Sequence, residues 1–271
     1  MLSWVDGQPA ESLPLRDRGL AYGDGLFETI AVRAGMPSLL DRHMARLTEG
    51  CARLDIPHDP SSIRAELLAF SQLLGEGVAK LILTRGDGLR GYVAPQPAQS
   101  RRILQGGAKP SYPAVNAEQG IRLFPCATRL AEQPALAGLK HLNRLEQVVA
   151  RGEWQDAEHA EGLMRDSSGR IIEGVYSNLF LLREGRLVTP DLARCGVAGV
   201  MRAELLERAA TLGLACEIRD ISLDELLAAD EVFLCNSLYG IWPVRALQAR
   251  DWPVGPLTRK LQTNIRDLLD C

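Results

Sequence analysis

The run IIEGVYSNLFLL at residues 171–182 constrains the fold more than any other stretch of the chain. It reads as one strand of nearly unbroken apolar character, and it carries a carboxylate, Glu173, that needs a cation if it is buried with its neighbours. Further strands read at 162–165 and 186–189, joined by turns at Ser168-Gly169 and Glu184-Gly185, and a last strand at 231–235. Earlier in the chain, two β-like runs flank Asp6-Gly7 as a hairpin. Strands follow at 26–33, closed by Ala34-Gly35, and at 78–84, 101–104 and 121–125.

Single helices fall between these strands. Asp41 is expected to cap a helix with Met44, Leu47, Cys51 and Leu54 on one face, and Asp59-Pro60 to start another with Ile63, Leu67, Phe70 and Leu74. A helix after Lys140 runs to about residue 154 with Leu142, Leu145, Val148 and Val149 aligned. Others read at 203–212, at Ser222-Leu223-Asp224-Glu225 as a capping box, and at 257–269. Strands separated by single helices, without internal repeats, argue for an α+β chain. The stretch GGAKPSYP mixes flexible glycines with rigid prolines. It is read as a linker at 107–114 between an N-terminal domain, 1–106, and a C-terminal domain, 115–271.

With 271 residues, 46% of them hydrophobic, the chain can bury a large core. A formal net charge of -3 and the lack of any dense Lys/Arg cluster give no footprint for nucleic acid or a membrane surface, so a small-molecule role is expected. No apolar run approaches the roughly 18 residues that would span a bilayer, and no signal-like segment opens the chain; a cytoplasmic location is expected. Six dispersed cysteines without metal-ligand spacing read as reduced, mostly buried thiols, and no metal is expected. The Arg85-Gly86-Asp87 triplet reads as a turn.

Lysine is the minority cation, four residues against twenty-seven arginines. Arginine stays charged, whereas a desolvated lysine can lose its proton and act as a nucleophilic amine. Lys80, Lys109 and Lys260 read as structural. Lys140 follows the apolar approach ALAGL at 135–139, which favours Schiff-base chemistry. A pyridoxal phosphate site would also need a partner for the pyridine nitrogen and donors around the phosphate. Glu173 could meet the first need, although an arginine could equally be its cation. The glycines of GVAGVMR at 196–202, at a helix start, and Arg46 could meet the second.

GLAYGDGLFET at 19–29, HMARL at 43–47, Lys140 with the run after it, EGVYSNLF at 173–180 and GVAGVMR at 196–202 occur in this order. Together they resemble the fold-type IV pyridoxal phosphate enzymes, a family with branched-chain aminotransferases, D-amino acid aminotransferases and 4-amino-4-deoxychorismate lyases. Within it, GLKHLNRLEQVVAR, RGYV at 90–93 and CNSLYGIWPV at 235–244 are most similar to the lyases. The resemblance implies that Lys140 forms the internal aldimine, that Glu173 contacts the pyridine nitrogen, and that Arg46 binds phosphate with the backbone of Val200 and Met201 and the hydroxyl of Ser237. Asn178 joins the cofactor-binding set, and Arg90 and Tyr92 are candidates for the carboxylates of the substrate, aminodeoxychorismate. It also implies a homodimer, and turnover to 4-aminobenzoate and pyruvate through an aldimine and a quinonoid in folate biosynthesis. Glu28 resembles a cofactor-face residue of the D-amino acid enzymes, so a D-amino acid or branched-chain aminotransferase stays open, as does a silent binding protein that keeps the fold.

Overall fold

The hairpin at Asp6-Gly7 opens the chain in the computed structural model, which describes residues 2–269. β1 (Ser3–Val5) turns into β2 (Gln8–Pro9) with Trp4 opposite Pro9 and Val5 opposite Gln8. A short helix α1 (Arg18–Tyr22), not expected from the sequence, is capped by Asp17, whose carboxylate accepts the Gly19 N–H at 2.8 Å. β3 (Gly25–Arg33), β4 (Met36–Pro37), α2 (Leu40–Leu54), α3 (Pro60–Leu74), β5 (Gly77–Thr84) and β6 (Arg101–Gly107) follow. The strands form an antiparallel six-stranded sheet in the order β2-β1-β6-β5-β3-β4.

Alternation along β3 puts Leu26, Glu28, Ile30 and Val32 on its buried face, with Phe27 and Thr29 less covered. That face shares a core with Met44, Leu47 and Cys51 of α2 and Ile63, Leu67 and Phe70 of α3. Each such side chain stabilises the unit by about 1.5–3 kcal/mol through burial. Asp59 caps α3 as expected, accepting the Ser61 N–H at 3.0 Å, with Pro60 in the first turn. Asp41 is not the cap of α2. The helix begins at Leu40, two residues earlier than a cap at Asp41 would place it, behind Leu39 in a left-handed conformation, and Asp41 sits in the first turn, where it pairs with Arg64.

This first unit extends to Pro110 and takes in five residues from far along the chain, Leu139–Asn143; the second holds Ser111–Gly138 and Arg144 onward. The division follows Pro110, and the segment around Lys140 groups with the first unit. β6 absorbs Gly106 and Gly107.

In the second unit the order is α4 (Ala114–Glu118), β7 (Ile121–Leu130), α5 (Leu145–Arg151), β8 (His159–Asp166), β9 (Ile171–Gly174), β10 (Asn178–Arg183) and β11 (Arg186–Pro190). Then come α6 (Val200–Thr211), β12 (Cys216–Arg219), α7 (Leu223–Leu227), β13 (Glu231–Asn236), β14 (Gly240–Leu247), β15 (Arg250–Asp251), α8 (Pro256–Asn264) and α9 (Arg266–Leu269). The strands make a mixed nine-stranded sheet, β12-β11-β10-β13-β14-β7-β8-β9, with β15 on β14. β9 pairs back onto β10 through Glu173 and Asn178, which closes β10, β13, β14, β7, β8 and β9 into a barrel-like ring.

Several expectations change here. The run 171–182 is two strands, because the Gly174 N–H donates to the Ser177 carbonyl at 2.7 Å and the chain reverses between them. β13 is followed by β14, reached through a turn in which the Asn236 side-chain oxygen accepts the Leu238 and Tyr239 N–H groups. The last helix breaks at Ile265 into α8 and α9. α5 is shorter than its apolar pattern, and Leu145, Val148 and Val149 are 72%, 64% and 53% exposed while Ala150 is buried. The Ser222 cap holds, its hydroxyl accepting the Glu225 N–H at 3.1 Å. Cys51, Cys126, Cys195 and Cys235 are buried free thiols and Cys216 a half-buried one; Cys271 lies outside the described residues. Among the described residues no helix is long and apolar enough to cross a membrane, and no cluster of His, Cys, Asp and Glu could hold a metal ion.

Candidate active site

In the first unit the Lys140 segment runs beside the start of β3. Leu139 is buried in the core, the Lys140 carbonyl accepts the Phe27 N–H at 2.9 Å, and Leu142 N–H donates to the Gly25 carbonyl at 3.0 Å. These bonds fix the backbone of Lys140, whose half-buried side chain carries Nζ to 4.3 Å from the centre of the Phe27 ring. The aromatic ring covers one side of the amine.

Behind the same strand lies a buried ionic group. Glu28 occupies a core-facing position of β3 and is 1% exposed. His43 Nδ1 is 2.6 Å from its Oε2, Arg46 Nε donates to its Oε1 at 2.8 Å, and Arg46 Nη2 also bonds Oε2. Burial alone would raise the Glu28 pKa, but the Arg46 charge and the bonds from His43 and Arg46 hold it at about 2. His43 shifts the other way. Burial, with the charges of Arg46 and Lys140, lowers its pKa against the pull of Glu28, so it is a neutral imidazole whose Nδ1–H donates to the carboxylate. Arg46, expected at a phosphate, therefore has one edge of its guanidinium fixed on Glu28. The sequence pointed to Arg46 and quoted His43 without assigning it a role; the signal available was Glu28 itself, a charged residue in phase with Leu26, Ile30 and Val32.

In the second unit Glu173, 4% exposed, and Asn178, 5% exposed, face each other across β9 and β10. Both hold Val197: its N–H donates to Glu173 Oε2 at 2.9 Å, and its carbonyl accepts Asn178 Nδ2 at 2.8 Å. Gly138 adds two backbone bonds to the same loop, donating to the Gly196 carbonyl and accepting from the Ala198 N–H, each at 2.9 Å. The loop delivers the start of α6. Its N-cap is Gly199, and a Cβ there would lie 2.0 Å from Asn178 Oδ1, so a side chain at this position would displace the amide that holds the Val197 carbonyl. With no capping side chain, the amides of Val200 and Met201 lie in a first turn whose donors have no intrahelical acceptors, a site suited to an anion. Ser237 is half-buried in the turn between β13 and β14.

Glu173 also has arginine neighbours in its own unit. Burial lowers the pKa of Arg144, and the charges of Glu173 and Glu146 oppose that shift. Arg202, 9% exposed, is fixed farther along α6 by bonds to Thr189 Oγ1 at 3.1 Å and the Pro190 carbonyl at 2.9 Å. The arginine reading of the Glu173 cation thus has a physical counterpart. Arg90 and Tyr92 are exposed on the loop after β5, Tyr92 at 86%. The loop is nonetheless anchored, because the buried Arg18 donates to the carbonyls of Gly91, Tyr92 and Val93 at 3.0–3.3 Å. The sequence did not mark Arg18.

The family model for amino-transferase class IV matches residues 25–247, which span both groups of site residues. The chain belongs to the class IV aminotransferase family. Its α+β architecture is the fold-type IV fold of that family. Within it, the chain is 37% identical to an aminodeoxychorismate lyase of Vibrio harveyi over 97% of this chain and 98% of the relative. It is 29% identical to an aminodeoxychorismate lyase of Bacillus subtilis (strain 168), over 86% of this chain and 80% of that one. Among solved structures, the 4-amino-4-deoxychorismate lyase of Pseudomonas aeruginosa superposes with a TM-score of 0.98 at 67% identity, covering 100% of both chains. A branched-chain amino acid aminotransferase of Escherichia coli has the same fold, with a TM-score of 0.87 at 23% identity over 99% of this chain and 94% of that one.

Proposed function

We propose that this class IV chain is a pyridoxal phosphate-dependent lyase that converts 4-amino-4-deoxychorismate to 4-aminobenzoate and pyruvate. The observation that carries this reading is the full-length likeness, 67% identical, to the Pseudomonas aeruginosa lyase. The residues fit the cofactor: a half-buried lysine amine against an aromatic ring, a buried carboxylate in the barrel wall, and an uncapped helix start. Lys140 would hold the aldehyde carbon, Glu173 the pyridine nitrogen, and Arg46, Ser237 and the amides of Val200 and Met201 the phosphate. Asn178 holds the Val197 loop that presents those amides.

When bound, pyridoxal phosphate supplies an electron sink for the carbon next to the substrate nitrogen. The chain's own groups do the rest. Lys140 Nζ removes the proton from the ring carbon bearing nitrogen and, as an ammonium, returns a proton to the departing ether oxygen. Glu173 keeps the ring nitrogen protonated. Arg90 and Tyr92, presented by the loop that Arg18 anchors, bind the substrate carboxylates. A second copy of the chain would cover the exposed apolar face of Leu145, Val148 and Val149, giving a homodimer. The unpaired buried thiols suit a reducing cytoplasm.

Formation of 4-aminobenzoate from aminodeoxychorismate by the purified protein is the test. It should proceed without sustained amino transfer from D-alanine or leucine to 2-oxoglutarate; sustained transfer would make the protein an aminotransferase. Lys140→Ala should lose both the visible cofactor absorbance and turnover, a drop of at least about 10³-fold for removal of the nucleophile.

A further inference from the structure

Glu161, in β8, is 0% exposed, and each of its hydrogen-bond partners is a neutral group. Its Oε1 accepts the N–H groups of Gly162 at 2.9 Å and Val175 at 3.0 Å. Its Oε2 accepts the Tyr176 N–H at 3.3 Å and the Ser177 hydroxyl at 2.8 Å. Three of these four donors belong to the turn that joins β9 to β10. A carboxylate can accept that many bonds at once, and an amide of the same shape cannot, because half of it would present hydrogens to donors. The packing is close: a Cβ on Gly174 would come within 2.2 Å of Ser177 Oγ and 3.1 Å of Glu161 Oε2.

The turn matters for what lies at its ends. Glu173 precedes it and Asn178 follows it, and these two make the register pair through which β9 closes onto β10. The same two side chains grip Val197 by its N–H and its carbonyl. A single cross-strand pair leaves the aim of both side chains dependent on the shape of the intervening turn.

We propose that Glu161 is a positioning residue for the Glu173–Asn178 pair: by holding the Val175, Tyr176 and Ser177 donors it fixes the turn, and with it the grip on the Val197 loop that leads into α6. Toward pyridoxal phosphate this rests on the proposed function, since Glu173 and the α6 amides are the groups assigned to it there. Glu161 itself touches neither cofactor nor substrate in this scheme.

The test is amide hydrogen exchange, read by NMR in the cofactor-free protein, with a pyridoxal phosphate titration alongside. In Glu161→Gln the amides of Val175 and Tyr176 should exchange faster, and the Val197 amide should follow by about tenfold or more, the scale of one strained buried hydrogen bond. A residue that only filled space in β8 would not move Val197, whose amide it does not touch. Faster exchange at Val175 and Tyr176 with unchanged protection at Val197 overturns the proposal. Should the glutamine variant not fold, Ser177→Ala removes one donor, and the same comparison at Val197 decides. Cofactor affinity should fall in both Glu161→Gln and Glu173→Gln. Deprotection of Val197 with affinity intact in both variants supports the positioning role and overturns the assignment of Glu173 to the cofactor.

Discussion

Glu28 in the first unit and Glu161 in the second are buried beside candidate site residues, and the two meet opposite fates. Glu28 and Glu161 are 1% and 0% exposed. Burial pushes both carboxyls up. In the first unit Arg46 and His43 outweigh it and hold Glu28 at about 2. In the second, four neutral donors do not, and Glu161 rises to about 7. Charge has to be met by charge to be kept cheaply in an apolar interior, whereas dipoles alone leave it poised near neutrality. Glu28 is thus an ion whose partner is fixed by it, and Glu161 is an acceptor whose donors are fixed by it.

The sharpest break of this contrast is Glu28→Gln. It takes the opposing charge away from the Arg46 guanidinium and the His43 imidazole, and should lower the stability seen in urea unfolding by about 3–5 kcal/mol, the scale for removing one partner of a buried pair. It should also weaken cofactor retention, because Arg46 loses the group that orients it. A loss below the range of an ordinary surface substitution would show that the charges are not coupled.

Next in size is the pH dependence, where the two carboxylates act in opposite directions. Glu28 contributes stability that is complete above its unfolded pKa near 4.5 and is lost as pH falls toward about 2. His43, buried neutral, adds to that loss once pH drops below its ordinary value of 6.5. Glu161 is raised instead: the stability present with it protonated, below 4.5, is lost as pH climbs through about 7, where the ionised group accepts all four bonds but carries the cost of a buried charge. Tyr112, Tyr176 and Tyr239, the phenols within its electrostatic reach, remain neutral across that window, since burial raises all three. Between pH 5 and pH 8 the Glu161 contribution should therefore fall by an amount on the order of 3 kcal/mol, partly offset by His43 below its ordinary value; Glu161→Gln removes that fall and Glu28→Gln does not. Melting curves across that range check the assignment, and an unchanged slope in Glu161→Gln refutes it.

The smallest effect belongs to a second carboxylate held by neutral donors. Glu231, 4% exposed, accepts the Leu257 and Thr258 N–H groups at 3.1 and 2.8 Å and the Thr258 hydroxyl at 2.7 Å. Thr258→Val removes one donor and leaves two, so the thermal midpoint should shift by the equivalent of about 1 kcal/mol. A loss as large as that of Glu28→Gln would mean that neutral donors are as indispensable as a cation.

Much of the fold was legible where the signal is local. Asp59-Pro60 and the Ser222 box announce helix starts because their hydrogen bonds close within three residues, and β5 announces itself by composition. Leu145, Val148 and Val149 were legible as one apolar helix face but their exposure was not, because such a face looks the same whether its own unit covers it or not. The reversal inside 171–182 was hidden because Val175 and Tyr176 suit a strand, while the bonds that bend them come from Glu161, fourteen residues or more upstream. At the site, Lys140 stood out by chemistry and Glu173 by contrast with its neighbours. Val197, His43 and Arg18 did not, since their roles rest on partners 15 to 75 residues away.

By itself the sequence determined which chemistry the chain can offer: one lysine set apart from many arginines, a carboxylate in an apolar run, glycines before a helix, and the caps and alternations that make the elements. Only the tertiary structure decided which carboxylate stays charged, which arginine edge is already taken, and which strand pair closes the barrel. Those outcomes depend on desolvation and on the distance between groups far apart in the chain, and neither quantity exists until the chain has folded.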